Sequence, residues 1–353
     1  MNKERVLIGM SGGVDSSVAA VLLKQQGFEP VGCTLKLHKY IGKDAADAAA
    51  VCEKLGMEHH ILDFTEDFES TVVADFINQY LNGNTPNPCV VCNRHIKFKK
   101  MIEAADKLNC KYVATGHYAS IKKENGRYVL YRPEDVSKDQ TYVLYSLTQT
   151  QLSRLILPLS GITKEKAREI AEENGLVIAR KKDSQDICFI PDGDYSKFIE
   201  NNSGVTCPKG DFVDINGKVL GKHSGIINYT VGQRKGLGIA LGKPAFVLNK
   251  DAATNRVTLD TDESRLFYRK VLVNKLNFLI FDELTEPIRI SAKLRYRHAA
   301  QPAMLYPADN GEAVIEFDEA QRAPSSGQSA VFYIGECLIG GGIIVKGLQE
   351  NEK

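Results

Sequence analysis

One hexapeptide narrows the possible folds more than any other feature of the chain. Ser11-Gly-Gly-Val-Asp-Ser16 follows the apolar run Val6-Leu-Ile-Gly-Met10 and leads into Val18, Val21 and Leu22, which recur at helical spacing. Glycines where a strand becomes a helix let the backbone approach an anion, and the free N–H groups and dipole of the helix start favour negative charge. The string lacks the terminal Gly-Lys-Ser/Thr of a Walker loop and does not match a dinucleotide fingerprint. An ordinary tight turn capped by Ser or Asp is the plain alternative. The whole hexapeptide, set between a strand and an amphipathic helix, favours a phosphate cradle.

The surrounding pattern supports that placement. After the helix ending at Gly27 come an apolar run from Val31 to Leu37, a helix-like stretch from Ala45 to Leu55, a strand near His60 to Phe64 and a helix across Val72 to Tyr80. Such alternation predicts βαβ units on a doubly wound parallel sheet. Tyr112-Val-Ala-Thr115 is a further strand, ending at Gly116-His117-Tyr118, where such a sheet opens a ligand crevice. From Lys209 the helical periodicity fades into short β-like runs, including Ala245-Phe-Val-Leu248 and Arg256-Val-Thr-Leu259. Beyond Arg269 the runs Ile288 to Leu294, Ala303 to Tyr306, Ala313 to Phe317, Ala330 to Ile334 and Gly342 to Val345 suggest a small barrel. The expected division is an α/β domain over 1–204, a small β-rich domain over 205–266 and a C-terminal β-barrel over 267–353.

With 353 residues, 43% hydrophobic and 25% charged, the chain can bury real cores. Its net charge of +1 neither supports nor excludes an RNA partner, so nucleic-acid contact would depend on local Lys/Arg patches. The first apolar segment is too short for a secretion signal or a membrane span, which points to a cytoplasmic protein without membrane association. In that setting the eight cysteines read as thiols, metal ligands or catalytic groups rather than as a disulfide framework.

Thr85-Pro-Asn-Pro-Cys-Val-Val-Cys-Asn-Arg-His-Ile-Lys-Phe98 carries a Cys-x-x-Cys pair followed by Arg94, His95, Lys97, Lys99 and Lys100. Those cations are expected to lower the thiol pKa values and favour thiolate. The pair itself is compatible with a redox couple, half of a zinc site, part of an iron–sulfur site or a rigid loop. Cys188 follows Lys181-Lys182 in a similar setting, whereas Cys33, Cys52, Cys110 and Cys337 lie in apolar or helical patterns that suggest small buried thiols. Cys207 lies near the expected linker and receives no role.

The loop closely resembles that of enzymes which cleave ATP to AMP and pyrophosphate, among them argininosuccinate and GMP synthetases and several tRNA-modifying enzymes. Further motifs narrow the resemblance: Asn87-Pro-Cys-x-x-Cys-Asn93, Ala114-Thr-Gly-His-Tyr118, Lys138-Asp-Gln140, Asp183-Ser-Gln-Asp-Ile-Cys188, Val231-Gly-Gln-Arg-Lys-Gly-Leu-Gly238 and Gly327-Gln-Ser-Ala-Val-Phe-Tyr333. Together, and in this order, they resemble the bacterial tRNA-specific 2-thiouridylases. That resemblance implies a sulfurtransferase that adenylates the C2 oxygen of a wobble uridine and replaces it with persulfide sulfur. By the same resemblance Cys92 is the nucleophile and Cys188 receives sulfur from a relay protein, with a Cys92–Cys188 disulfide as a conceivable end state. Gly9, Met10, Ser11, Gly12, Gly13, Val14, Asp15, Ser16, Leu35 and Gly116 match ATP contacts, and magnesium is expected on the phosphates.

The resemblance also places RNA contacts. Asn87, Pro88 and Cys89 match the stretch that touches the target base, His117 and Gln328 match positions tied to tRNA selectivity, and Lys138, Asp139, Gln140, Arg295 and Tyr296 match further tRNA contacts. The implied partners are tRNAs of the Lys, Glu and Gln type and a persulfide relay protein. The cationic Gly-rich stretch from Val231 to Gly238 suits an RNA backbone as well as a plain hairpin. Many relatives carry Asp where this chain has Cys89, so a carboxylate role cannot be moved here, and Cys89, Cys92 and Cys188 are candidate ligands for an iron–sulfur cluster of the 4Fe-4S kind. The segment between Leu37 and Ala45 is shorter than in relatives, which suggests a trimmed surface loop. A ligase acting on a small metabolite and a catalytically silent tRNA-binding module are the readings from other classes.

Overall fold

The computed structural model describes residues 3–38, 43–179, 181 and 187–349. Residues 183–186 of the Cys188 motif therefore lie outside the described residues. The chain opens with β1 (Arg5–Gly9), α1 (Val14–Gln25), β2 (Glu29–Lys36), α2 (Lys43–Lys54) and β3 (His59–Asp63), the alternation that the sequence predicts. Then come β4 (Tyr112–Ala114), a hairpin of β5 (Ser120–Glu124) and β6 (Arg127–Tyr131), and β7 (Leu155–Ile156). The parallel sheet runs in the order β3-β2-β1-β4-β7. Val6, Leu7 and Ile8 on the central strand are completely buried, which is why that strand reads as a continuous apolar run rather than an alternating one. The strand order reverses between β1 and β4, so the loops leaving these two strands face one crevice.

Of two helical stretches, 88–107 packs on the sheet through Phe98, Met101, Ala104 and Ala105, while 65–81 shares a core with the middle region; each contains a π-helical segment, Asn93–Lys100 and Glu69–Val73. Wider turns of this kind are rare and concentrate at functional sites, because they rotate the flanking side chains out of α-helical register. The middle region forms a sheet of Phe246–Asp251, Arg256–Asp260, Gly210–Val213 and Val219–His223, in that order.

The C-terminal strands Phe267–Phe278, Ala313–Arg322, Gln301–Pro307, Ile288–Lys293, Ser329–Ile334 and Cys337–Leu348 pair in that order, and the last pairs again with the first, closing a barrel. The expected class, α/β followed by a β-rich region and a barrel, is the observed one. One connection was not expected. Cys337 and Leu338 at the start of the last barrel strand pair with Tyr131 and Leu130 of β6, so the hairpin from the first region extends the barrel wall. Val331, Tyr333 and Leu338 of the barrel accordingly share a core with Leu7, Phe98 and Leu130.

Candidate active site

The turn after β1 has the backbone geometry expected of an anion cradle. Gly12 has φ +66°, and a Cβ there would lie 2.2 Å from the Asp44 carbonyl oxygen, so the conformation requires glycine. Ser16 Oγ accepts from the Ser11 N–H at 3.2 Å and lies 3.2 Å from Ser11 Oγ, while Ser17 Oγ donates to the Gly13 carbonyl at 2.8 Å. On the neighbouring loop a Cβ at Gly116 would meet Asp15 C and Ser16 N at 2.7 Å, so backbone meets backbone at this point between the segments after β1 and β4. Gly9 and Met10 lead into the cradle, with Met10 donating its N–H to the Cys33 carbonyl at 2.7 Å, and Gly13 and Val14 begin α1. Leu35 lies on β2, packed against the core beneath.

Three residues absent from the sequence-based site hold this cradle. Lys164 Nζ donates to both Asp15 oxygens at 2.7 and 2.9 Å, although Lys164 is only 4% exposed. Tyr118 OH donates to Asp15 at 3.0 Å. Lys181 Nζ donates to the Gly12 carbonyl at 3.0 Å and pairs with Asp44 and Asp47, so it serves the cradle rather than Cys188 as expected. A faint signal for Lys164 exists in the sequence. Thr163 caps a helix that begins at Lys164, where a cation opposes the helix dipole and so calls for another partner.

The thiols of Cys92 and Cys188 lie on separate segments of the chain. Asn87 Oδ1 accepts from the Cys89 N–H at 3.2 Å and Pro88 fills the first helical position, so the Cys-x-x-Cys pair occupies the opening turn of the helix Pro88–Cys92. Cys89 is exposed and Cys92 buried. Phe189 and Ile190, next to Cys188, pack into the same core as Cys92, where Phe189 sits at 5.3 Å from Phe76 and 5.6 Å from Phe68. Burial pushes the Cys92 thiol up to about 12, against the pull of Lys97; Cys188 and Cys89 are close enough for their charges to push in the same direction as burial. Packed protein raises the Cys188 thiol too, again opposed by Lys97, although the residue keeps an exposed surface. The expected lowering of these pKa values is thus overturned, because burial outweighs the cations.

Lys97 joins the two halves of the site. Besides both thiols its charge reaches His117, whose ring is pushed down to about 3 by loss of solvent and, to a lesser degree, by Lys97. His117 Nδ1 lies 2.7 Å from Thr115 Oγ1, and its ring is 5.9 Å from that of Phe98. Asp15 and Ser16 lie against Gly116, His117 follows Gly116 in the chain, and the charge of Lys97 is felt by His117 and by the thiols of Cys92 and Cys188. All eight cysteines carry free thiols. Among the described residues no three His, Cys, Asp or Glu side chains gather into a group able to hold a metal ion, so Cys89, Cys92 and Cys188 are not arranged as a ligand set.

Several residues expected to contact RNA also carry bonds within the fold. Asp139 is buried: its Oδ1 accepts from the Thr141 N–H and hydroxyl at 2.9 and 2.5 Å, and Lys293 and Arg132 approach Oδ2 at 3.3 and 3.6 Å. Gln140 Oε1 accepts from the Tyr118 N–H at 2.8 Å. Arg295 donates to Ala323 O, Ser325 Oγ and Val231 O at 3.2, 3.0 and 3.5 Å, tying the barrel to the middle region. Gln328 Nε2 donates to Thr85 O at 2.7 Å. Lys138 is half-buried beside Asp139, whereas Tyr296 is 40% exposed, edge-on to Tyr142 at 5.8 Å and near enough to Cys89 to feel its charge. The stretch from Val231 to Gly238 borders an open concavity of about 510 Å³ lined by Arg234, Gly236, Lys243 and Pro244.

Comparison with known proteins follows the same layout. Residues 4–192 match the tRNA methyl transferase HUP domain, 196–260 the tRNA methyl transferase PRC-barrel domain and 268–344 the aminomethyltransferase beta-barrel domain. The chain is 48% identical to the tRNA-specific 2-thiouridylase MnmA of Clostridium acetobutylicum, with 98% of this chain and all of that protein covered (100%). It is 46% identical to the protein of the same name from Clostridioides difficile, with 99% of each chain covered. Among solved structures, a 4-thiouridine synthetase–RNA complex with bound ATP shows a distant likeness, at 18% identity and a TM-score of 0.39 over 56% of this chain and 50% of that one. On the full-length matches, this chain belongs to the tRNA-specific 2-thiouridylase family.

Proposed function

We propose that the protein uses ATP to exchange the C2 oxygen of the wobble uridine of tRNA for sulfur. The observation that carries this reading is that the glycine-bearing turn lies against Gly116, next to His117, while one cation, Lys97, acts on His117 and on the thiols of both Cys92 and Cys188. In the first step the uridine O2 attacks the α-phosphorus of ATP and pyrophosphate leaves, its charge received by the N–H groups at the start of α1. Magnesium would be held chiefly by phosphate oxygens, since Asp15 is already engaged by Lys164 and Tyr118. The terminal sulfur of a Cys188 persulfide then adds to C2 and AMP departs. Cys92, losing its thiol proton to solvent as it reacts, attacks Cys188 Sγ, which leaves the transferred sulfur on C2 and closes a Cys92–Cys188 disulfide.

A base must leave the anticodon stack to reach this crevice. The half-exposed ring of Tyr296, within reach of the Cys89 charge, is suited to stack on it, with Asn87 and Pro88 flanking Cys89 in the chain and Arg234 at the concavity suited to phosphates. The tRNAs read in this way are of the Lys, Glu and Gln type, and the exposed Cys188 is the point where a relay protein would hand over persulfide sulfur. None of the described helices is long and apolar enough to cross a membrane, and the reaction belongs in the cytoplasm with its tRNA.

The test combines purified protein, ATP, magnesium, a persulfide donor and unmodified tRNA, with Cys92→Ser and Cys188→Ser alongside. Wild type is expected to form 2-thiouridine and both variants to form none. Full activity in either variant sinks the reading, and retention of 2-thiouridine in tRNA from a deletion strain sinks the cellular role. No step here runs through an iron–sulfur cluster on Cys89, Cys92 and Cys188, and anaerobic purification with iron and sulfide analysis tests that alternative directly.

A further inference from the structure

The proposed reaction ends with a disulfide that must be opened before another cycle, and the exposed Cys89 has no part in the steps so far. We infer that Cys89 is the resolving thiol: it takes over the bond to Cys92 and releases Cys188 for reloading. This inference rests on the thiolation reading. Cys89 and Cys92 lie three residues apart on the helix Pro88–Cys92, hence on one face, with Cβ atoms about 5–6 Å apart in a regular helix. A disulfide needs roughly 3.5–4.5 Å, a gap that a small adjustment of one terminal helical turn can close. Their exposures are opposite, with Cys89 open to solvent and Cys92 only 7% exposed in the core shared with Phe189. A bond held by the buried sulfur is thereby presented to external reductant through the exposed one.

The balance is that of thiol–disulfide exchange. Cys89 gives up its proton to solvent and attacks Cys92 Sγ, the Cys92–Cys188 bond breaks, and Cys188 leaves as thiolate and is reprotonated. An external dithiol then reduces the Cys89–Cys92 bond. Without Cys89, an outside thiol must attack the exposed Cys188 Sγ, which leaves a mixed disulfide on the sulfur that should accept the next persulfide.

Two measurements test this. Wild-type protein stopped with N-ethylmaleimide after one turnover, or after equilibration in a glutathione buffer without tRNA, is mapped by peptide mass spectrometry. A Cys89–Cys92 linkage with alkylated Cys188 is expected; a Cys92–Cys188 linkage as the main species overturns the inference and leaves the thiolation reading standing. In Cys89→Ser and Cys89→Ala, the steady-state rate divided by the same variant's first-turnover rate is expected to fall about tenfold at submillimolar reductant, because an intramolecular thiol of roughly millimolar effective concentration is lost. A ratio equal to that of wild type overturns the inference. Thiolation that survives Cys92→Ser instead sinks the parent reading.

Discussion

At Cys92 two effects oppose each other. Burial of a whole group moves a pKa by up to about 3–5 units, while a neighbouring opposite charge moves it by about 1–3, so the thiol stays protonated despite Lys97. Its alkylation by iodoacetamide is therefore expected to rise about tenfold per pH unit from pH 7 to pH 10 without a plateau. Lys97→Met removes the charge that favours thiolate, so the rate at a given pH is expected to drop; an unchanged rate would show that Lys97 does not act on this sulfur. His117 behaves in the opposite sense. With its ring held near 3, it stays neutral from pH 8 to pH 5, and an imidazole resonance that titrates in that range would contradict the placement. The motif cysteines were legible because a Cys-x-x-Cys behind two prolines is a local pattern. Their pKa values were not, because burial comes from Phe189 and the helices around it, far along the chain.

The cradle was legible for the same reason: glycines, hydroxyls and a helix start are consecutive residues. Its supports were not, since Lys164 meets Asp15 across 149 positions. Asp15→Asn leaves that buried ammonium without its charge partner, and urea unfolding is expected to show a loss of about 2 kcal/mol, below the usual 3–5 because the Asp15 side chain is 32% exposed. Gly12→Ala forces both an unfavourable φ and a clash with Asp44, so nucleotide affinity should fall at least about tenfold by calorimetry, with Cys89 alkylation unaltered. The hairpin β5–β6 shows the reverse case, a local signal present in the sequence. Asn125 and Gly126, at φ 49° and 82°, are the Asn-Gly pair that a two-residue turn favours. The π-helical segment after Cys92 has no comparable local mark.

Across the molecule, one turn fastens the barrel to the segment that leads into the Cys-x-x-Cys helix. Ser326 donates through Oγ to Asn84 Oδ1 at 2.6 Å and accepts from the Thr85 N–H at 2.8 Å, while Gln328 binds the Thr85 carbonyl just ahead of the Cys-x-x-Cys helix. Gln328→Ala removes about 1 kcal/mol of hydrogen bonding. Amide exchange over 84–92 is expected to quicken and thiolation to slow, with the rest of the barrel unaffected; unchanged exchange there would show that the turn does not hold the helix. The sequence could announce a barrel, since alternating runs are local, but not that its wall is shared with a hairpin two hundred positions earlier. Two short strand ends, Tyr131–Leu130 against Cys337–Leu338, make that seam. A fragment cut at the apparent border before the barrel would carry an open lip of unpaired peptide groups where the hairpin belongs, ready to capture a strand from another copy, and such a piece should be sticky in solution even though its own six staves close.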